Sequence, residues 1–404
     1  MVAGVFELIG LSKSKVLRAG LNYLLAIILL PIFGALIVAS RLIKKRTVVG
    51  LGPEPLINNI YHRLALEKFG WTASTYVTHT YFITNHFEFR FVHSSIPLSI
   101  RSYCAFIHAV LSYKVLYIYF NGGPLAWTPY RPLEGLIYKM AGIKVVVMPY
   151  GGDIHDLSRS TNLLFKHANT VEYPRFQKLS KGKIAKQIDY WTNWADFVIS
   201  GCDWVDYMWH WDLLVQAHFC VQEPKRHISP ASRTKRLKVL HAPNHRFVKG
   251  TQFLVNAISN LQAKGHAIEL ILAEKVANTE VLRLIAEADI VVDQLVIGWY
   301  GMFAVEAMAH SKPVVCFLRD DLLELYEFAG VSTRSENPIV SSSFFKIEND
   351  LEELITNHSL RESRGKAGYQ HYKKFHSVEA IGAVFDSVNR KVLLHLDHAP
   401  VENG

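Results

Sequence analysis

The chain has 404 residues, half of them apolar and 20% charged, which excludes a disordered or fibrous protein and gives room for two domains with cores of their own. The formal net charge is +9, concentrated in two places: Lys13, Lys15, Arg18, Arg41, Lys44, Lys45 and Arg46 near the start, and Arg175, Lys178, Lys181, Lys183 and Lys186 further on. Both clusters suit anionic membrane surfaces or phosphate-bearing substrates, the second also an ordinary solvated face, and no recognition motif points to nucleic acid.

From Leu21 to Ala39 nearly every residue is apolar, with Pro31 and Gly34 near the middle. As a helix this stretch reaches roughly 28 Å, close to the ~30 Å hydrocarbon core of a bilayer. The run is too long, starts too late and is followed by RLIKKR, which argues against a cleaved signal peptide. A membrane anchor spanning residues 1 to 46 is therefore expected, crossing the bilayer or lying re-entrant or interfacial on one face through the Pro and Gly, with a buried core helix as the plain alternative. Basic residues flank both ends, three before and four after. The balance places the body on the cytoplasmic face of the inner or plasma membrane.

Beyond the anchor, strand-like and helix-like segments alternate. RTVVGLG (46–52), KVLYIYFNGG (114–123), KVVVMPYGGD (144–153) and DFVISG (196–201) read as strands ending in Gly, with helical patterns such as PLINNIYHRLALEKFG (55–70) between them. The pattern restarts at LKVLHAP (237–243) and continues through TQFLVNAISNLQAKG, IELILAE, TEVLRLIAEA, DIVVDQL and KPVVCFL. This predicts an α/β protein of two doubly wound parallel sheets, 47–225 and 226–385, joined by a basic linker near 222–236 and ending in a helix end and tail, 386–404. Ligands of such sheets sit beyond the C-terminal strand ends, so the Gly turns at Gly50 and Gly52, Gly122 and Gly123, and Gly151 and Gly152 are the places to search. None forms a dinucleotide fingerprint or a P-loop. The four cysteines, Cys104, Cys202, Cys220 and Cys316, have no paired spacing, which argues for reduced thiols and against zinc.

HAPNHRFVKGTQFLVNAI, IELILAEKV and ADIVVDQLVIGWYGMFAVEAMAHSKPVV, in that order, resemble the donor half of GT-B glycosyltransferases of the retaining family 4 type. VVGLGPEPLINNIYHRLALEKFGWTA and MPYGGDIHD are similar to the acceptor half, so the likeness covers roughly residues 47 to 385. It implies two Rossmann-like domains facing a cleft and a nucleotide-sugar donor held between them. The helix opening near Tyr300, Gly301, Met302 and Phe303 offers N–H groups and a positive dipole end to a diphosphate. Arg246 and Lys249 add two cations, which makes a metal or other cofactor unnecessary and agrees with the lack of a DxD signature among Asp203, Asp206, Asp289, Asp293, Asp320 and Asp321. The resemblance assigns the ribose hydroxyls to Glu306 and further donor contacts to Glu274, Val276 and Gly52. An ordinary exposed or salt-bridged helical Glu is the plain alternative for Glu306.

The family pattern has a second Glu eight positions earlier, where this chain has Gly298. The sugar must then be held by other groups, backbone donors with Trp299 or Tyr300 among them. On the acceptor side Tyr150 replaces the His of a His-Gly-x-Asp turn, while Gly151, Gly152 and Asp153 follow, with His155 and Asp156 nearby. Asp153 is a candidate to orient the acceptor, or to act as base if the reaction inverts; a simple helix-capping role is its structural alternative. The Trp-rich run around Trp191, Trp194, Trp204, Trp209 and Trp211 reads as packing or as membrane contact. Together these expectations describe a membrane-associated glycosyltransferase acting with retention on a lipid-linked or glycan acceptor in cell-surface polysaccharide or glycolipid synthesis. The alternatives are a nucleotide-sugar epimerase or hydrolase, and a silent scaffold partnering another transferase. Oligomeric state is not legible.

Overall fold

The computed structural model describes residues 2–45, 47–81, 84–175, 182–224 and 236–394. Arg46, Lys178, Lys181, most of the expected linker and the end of the tail lie outside the described residues.

The chain opens with helix α1 (Val2–Leu42), which contains Pro31. Seven strands then build the first sheet: β1 (Val49–Leu51), β2 (Ala73–Val77), β3 (Phe89–Arg90), β4 (Val115–Ile118), β5 (Lys144–Val147), β6 (Phe197–Ser200) and β7 (Leu213–Leu214). Their order is β3-β2-β1-β4-β5-β6-β7, and every pairing is parallel. Helices α2 (Asn58–Lys68), α3 (Leu98–Ser112), α4 (Glu134–Met140), α5 (Leu163–Glu172) and α6 (Lys183–Trp194) connect these strands. The strands β1, β2 and β4 are buried at every position, as a sheet covered on both faces requires. The sequence reading did not mark β2, β3 or β7 as strands. In β2 the polar residues have partners: Ser74 shares a 2.7 Å hydrogen bond with the Tyr113 hydroxyl, and the Thr75 hydroxyl accepts the Glu88 N–H.

The second sheet contains β8 (Leu237–His241), β9 (Ile268–Leu272), β10 (Ile290–Val292), β11 (Val314–Cys316) and β12 (Val340–Ser341). Its order, β9-β8-β10-β11-β12, is again parallel throughout. Helices α7 (Arg246–Lys249), α8 (Thr251–Ala263), α9 (Asn278–Glu287), α10 (Met302–Ala309), α11 (Asp320–Phe328), α12 (Ile347–Thr356) and α13 (His358–Phe375) belong to this lobe. The last helix, α14 (Val378–Leu394), returns to the first lobe and packs on α2. Tyr117 donates to Asn389 and Trp71 to Asp386 across that contact. The second lobe thus ends near His376, and residues 378–385, grouped with it from the sequence, pack on the first lobe. Apolar patterning alone does not show which core a terminal helix covers.

The lobes share a seam as well as a cleft. Asn162 donates to the Val296 and Ile297 carbonyls at 3.0 and 2.9 Å, Tyr326 to the Cys202 carbonyl at 2.8 Å, and Trp299 to the Gln216 carbonyl at 3.1 Å. Trp299, Tyr300 and Tyr326 form a buried aromatic cluster on this seam.

Candidate active site at the cleft

In each sheet the strand order reverses once, and a crevice for ligands opens at the C-terminal ends of the two strands flanking that reversal. In the first lobe these are β1 and β4, in the second β8 and β10. The two crevices carry different chemistry.

Beyond β8 and β10 stand Lys249, Asp293 and the N-terminus of α10. Lys249 Nζ lies 3.0 Å from Asp293 Oδ1, and the Gly301 N–H donates to Asp293 Oδ2 at 2.6 Å. Gly301 lies close to both groups: an added Cβ would meet Asp293 Oδ2 tightly at 3.3 Å and Lys249 Nζ at an ordinary 3.7 Å. Met302 and Phe303 begin the helix, so their N–H groups have no intrahelical acceptor. An ammonium and a helix N-terminus thus converge on one point, where the Asp293 carboxylate now collects both. Arg246, on the rim, makes a bidentate pair with Glu274 at 2.7 and 2.6 Å. Each cation predicted for the diphosphate therefore has a carboxylate of the chain as its partner. The sequence reading considered Asp293 only as half of a metal signature and missed this role. The adjacency of β8 and β10 creates it, and residue spacing does not show that adjacency. Val276 packs on the core, and Gly52 sits at the end of β1, where a Cβ would collide with the Tyr76 carbonyl at 2.1 Å.

Glu306 is 3% exposed. One oxygen accepts Asn278 Nδ2 at 2.7 Å, from the first residue of α9. Burial pushes its carboxyl up to about 7, the Asn278 bond opposes that, and the charge of Asp293 adds to it. The ordinary exposed Glu is thereby ruled out; this is an interior carboxyl beside the crevice with Asn278 over it.

Gly298 has φ +95°, and a Cβ there would lie 2.5 Å from Arg319 Cδ and 2.6 Å from Cγ. The Arg319 side chain passes through the space a side chain at 298 would need. Its guanidinium bonds Asp206 at 2.6 Å, Thr161 at 2.8 Å and Asp321, tying the second lobe to the first. Where the resembled pattern carries its earlier Glu, this chain has a cation that crosses the seam. Tyr300 contributes only backbone to the site: its ring is buried, and its hydroxyl bonds Gln216 at 2.7 Å and His376 at 2.9 Å. Trp299 is equally interior, so neither ring is presented to a sugar.

The first crevice is acidic and hydroxyl-rich. Glu54, just past β1, is 6% exposed and accepts Tyr81 Oη and Asn121 Nδ2, the latter at 3.2 Å. Asn121, just past β4, also donates to the Tyr150 hydroxyl at 2.7 Å. Sequence reasoning identified Tyr150 but neither Glu54 nor Asn121, although the Gly turns beside them were the available signal. Asp153 is committed to the backbone: its oxygens accept the Phe120, Tyr150 and Gly151 N–H groups, each at 3.0 Å. Burial raises its carboxyl to about 7, with those three bonds opposing. It fastens the Gly151–Gly152 turn to the end of β4 and caps no helix. His155 Nε2 faces Asp203 Oδ2 at 3.8 Å, and Asp203, 4% exposed, feels the charges of Arg319 and Lys249 from the other lobe. Of the Trp-rich run, Trp191 and Trp204 are core residues, while Trp209 is exposed and bonds Asp189. Among the described residues, no group of three or more His, Cys, Asp or Glu is arranged to hold a metal.

Two facing doubly wound lobes with the crevices opposed across a cleft define the GT-B fold, of the kind the donor-half motifs resemble. Among solved structures the chain is similar to sucrose-phosphate synthase from Thermosynechococcus elongatus, with a TM-score of 0.56 and 14% identity over 87% of this chain and 100% of that one. It is also similar to a putative UDP-N-acetylglucosamine 2-epimerase from Listeria monocytogenes, with a TM-score of 0.50 and 9% identity over 87% and 98%. No family model matches the sequence, and no curated protein does. At these identities the likeness establishes the fold, and the reaction has to be argued from the site.

Proposed function

We propose that the protein is a glycosyltransferase that moves a sugar from a nucleotide-sugar donor to a lipid-linked or glycan acceptor. The observation that carries this reading is the convergence of Lys249 and the α10 N-terminus at the β8/β10 crevice. A cation beside a helix start is suited to a diphosphate, whose charge grows as the glycosidic bond breaks. In this reading the diphosphate takes over the donors that Asp293 holds, Arg246 supports it from the rim, and Glu306 accepts the ribose hydroxyls. The sugar end points toward His155 and Asp203 of the first lobe, of which Asp203 lies within reach of the Lys249 charge. The acceptor hydroxyl docks at Glu54 and Asn121.

Retention needs no enzyme nucleophile, because the leaving phosphate oxygen can take the acceptor proton. With the Asp153 oxygens committed to three N–H groups, Glu54 is the carboxylate better placed to orient the acceptor. Since Lys249, Arg246 and the α10 N-terminus supply donors to the diphosphate from the chain itself, turnover should survive EDTA; rescue only by Mg²⁺ or Mn²⁺ would contradict this.

The test is calorimetric binding of UDP-, GDP- and ADP-sugars to the full chain, beside Lys249→Ala and Glu306→Ala. One nucleotide should bind, weakened in both variants. Failure of every nucleotide would leave the scaffold reading, and release of free sugar or epimer without acceptor would replace transfer by hydrolysis or epimerisation.

A further inference from the structure

The helix α1 carries two apolar faces. One is docked: Ala26, Phe33 and Ser40, spaced by seven residues, are buried, and Leu25, Leu29, Leu36 and Ile37 pack beside them. Phe33 packs at a tilt against Phe106 and Tyr130, with ring centroids 4.8 and 4.6 Å apart, over the seam between α3 and the segment leading into α4. Hydrogen bonds fix the Asn22–Leu42 segment of this helix near both of its ends. Ser99 donates to Asn22 and Tyr130 to the Ala26 carbonyl near one end, and Ser40 donates to the Ala141 carbonyl and Arg41 to the Met140 carbonyl at the other. The other face is bare: Tyr23, Leu24, Ile27, Ile28, Leu30 and Val38 are each more than half exposed. The segment Asn22–Leu42 has mean hydropathy 2.5, and only 17% of its most apolar window is buried.

A segment held against the body from Asn22 to Arg41 does not also cross a bilayer. If residues 22–42 spanned the ~30 Å hydrocarbon, α3 and the Tyr130 segment would be carried into it, with Arg101, His108 and the backbone ends of the sheet. Lying flat costs nothing of this kind. The bare face enters the acyl region and the docked face stays on the protein, as interfacial helices do. Charge complements the geometry. At the Arg41 end a cavity of about 610 Å³ opens beside the exposed Met140, lined by Arg41, Lys139 and Lys144 with Asp196 as the one acid. Lys144 is paired with Asp196 at 2.8 Å, which leaves Arg41 and Lys139 as excess positive charge for lipid phosphates.

We infer that the Asn22–Leu42 segment of α1 is an in-plane seat on an anionic phospholipid leaflet and does not cross it, and that this seat brings the acceptor crevice to the membrane surface. The second half of the inference follows from neighbouring residues. Tyr130 holds Ala26 of α1, while the next residue, Arg131, bonds Gln187, which donates to Asn121 of the crevice. Trp127, 57% exposed, stands on the same segment. An acceptor carried by a lipid would therefore reach Glu54 and Asn121 by moving sideways in the leaflet.

The experiment uses the full chain in a Cys104→Ser background, because Cys104 is the one exposed cysteine among the described residues. Single cysteines at Leu24, Ile28, Val38 and Leu42 carry a fluorophore, and vesicles of phosphatidylcholine with or without phosphatidylglycerol contain quenching lipids labelled at shallow or deep positions. An in-plane seat gives all four sites the same shallow depth, with binding several-fold stronger on the anionic vesicles and that preference reduced in Lys139→Gln. A depth profile that starts in one leaflet, deepens near Ile28 and emerges in the other would overturn the proposal. So would four unquenched probes, or equal binding to both vesicle types. The readout is independent of donor binding, so it can fail while the transferase reading stands, and the reverse.

Discussion

The two lobes meet the cleft with the same topology and with opposite chemistry. At the first reversal of strand order stand a carboxylate, an amide and two phenols, and at the second an ammonium and a helix N-terminus. Burial raises carboxyls to about 7 in both lobes, Glu134, Asp153 and Asp203 in the first and Glu306 in the second, and of these Asp153 and Glu306 compare most directly. The pKa value alone would rank them as equal candidates. Their partners separate them. Asp153 is saturated by three backbone N–H groups, whereas Glu306 has a single Asn278 contact and an oxygen to spare. A perturbed carboxyl marks a functional group only when its lone pairs are not already committed.

Removing Lys249 should separate the lobes most sharply. Lys249→Ala takes away the cation facing the diphosphate and leaves Asp293 buried without it. Turnover is expected to fall by roughly 10²-fold or more, as for loss of an electrostatic stabiliser. Turnover within a few-fold of the parent, in a variant that still folds, would remove the second crevice from the chemistry.

Asp153→Asn should show the other behaviour. The amide offers one acceptor oxygen where the carboxylate uses two, and its NH₂ faces backbone donors. A cost of about 2–3 kcal/mol in thermal or urea unfolding is expected, with nucleotide affinity unchanged. If the affinity fell and the stability held, the roles assigned to the two carboxyls would be exchanged.

Position 298 tests the seam. Gly298→Ala places a Cβ against Arg319 at a backbone φ that L residues rarely adopt. A loss of about 1–3 kcal/mol is expected, and Gly298→Glu should lose at least as much although it supplies the residue of the resembled pattern. A stabilised Gly298→Glu would mean that the Arg319 bridge to Asp206 is dispensable.

The smallest effect is one of pH. A carboxyl raised from 4.5 to about 7 keeps its proton in the folded protein across that window. Glu306 therefore lowers stability progressively as pH rises from about 4.5 to 7, and its charged form, the better acceptor for ribose hydroxyls, fills in over pH 6 to 8. Nucleotide affinity should rise roughly tenfold over that interval, and Glu306→Gln should flatten the profile while stabilising the protein at pH 8. Asp293 and Asn278 face this carboxyl. A profile unchanged by Glu306→Gln would assign the titration to another group.

Local chemistry made much of this legible in the sequence. Strand runs ending in Gly, helices with apolar spacing and a restart near residue 237 are consequences of backbone and side-chain preference over a few residues, and they define two doubly wound lobes. The apolar run before Ala39 and the carboxylate inside an apolar helix at Glu306 were visible for the same reason. Only the tertiary structure decided what those groups meet. It brought Asp293 to Lys249, threaded Arg319 through the space at Gly298, closed Asp153 onto three N–H groups and laid α1 along the body. Apart from the local Tyr150 and Gly151 bonds of Asp153, each of these joins residues more than 20 apart in sequence, and no local preference encodes that. Periodicity follows from the chain's own geometry, whereas the partner of a buried charge follows from the whole packing of the fold.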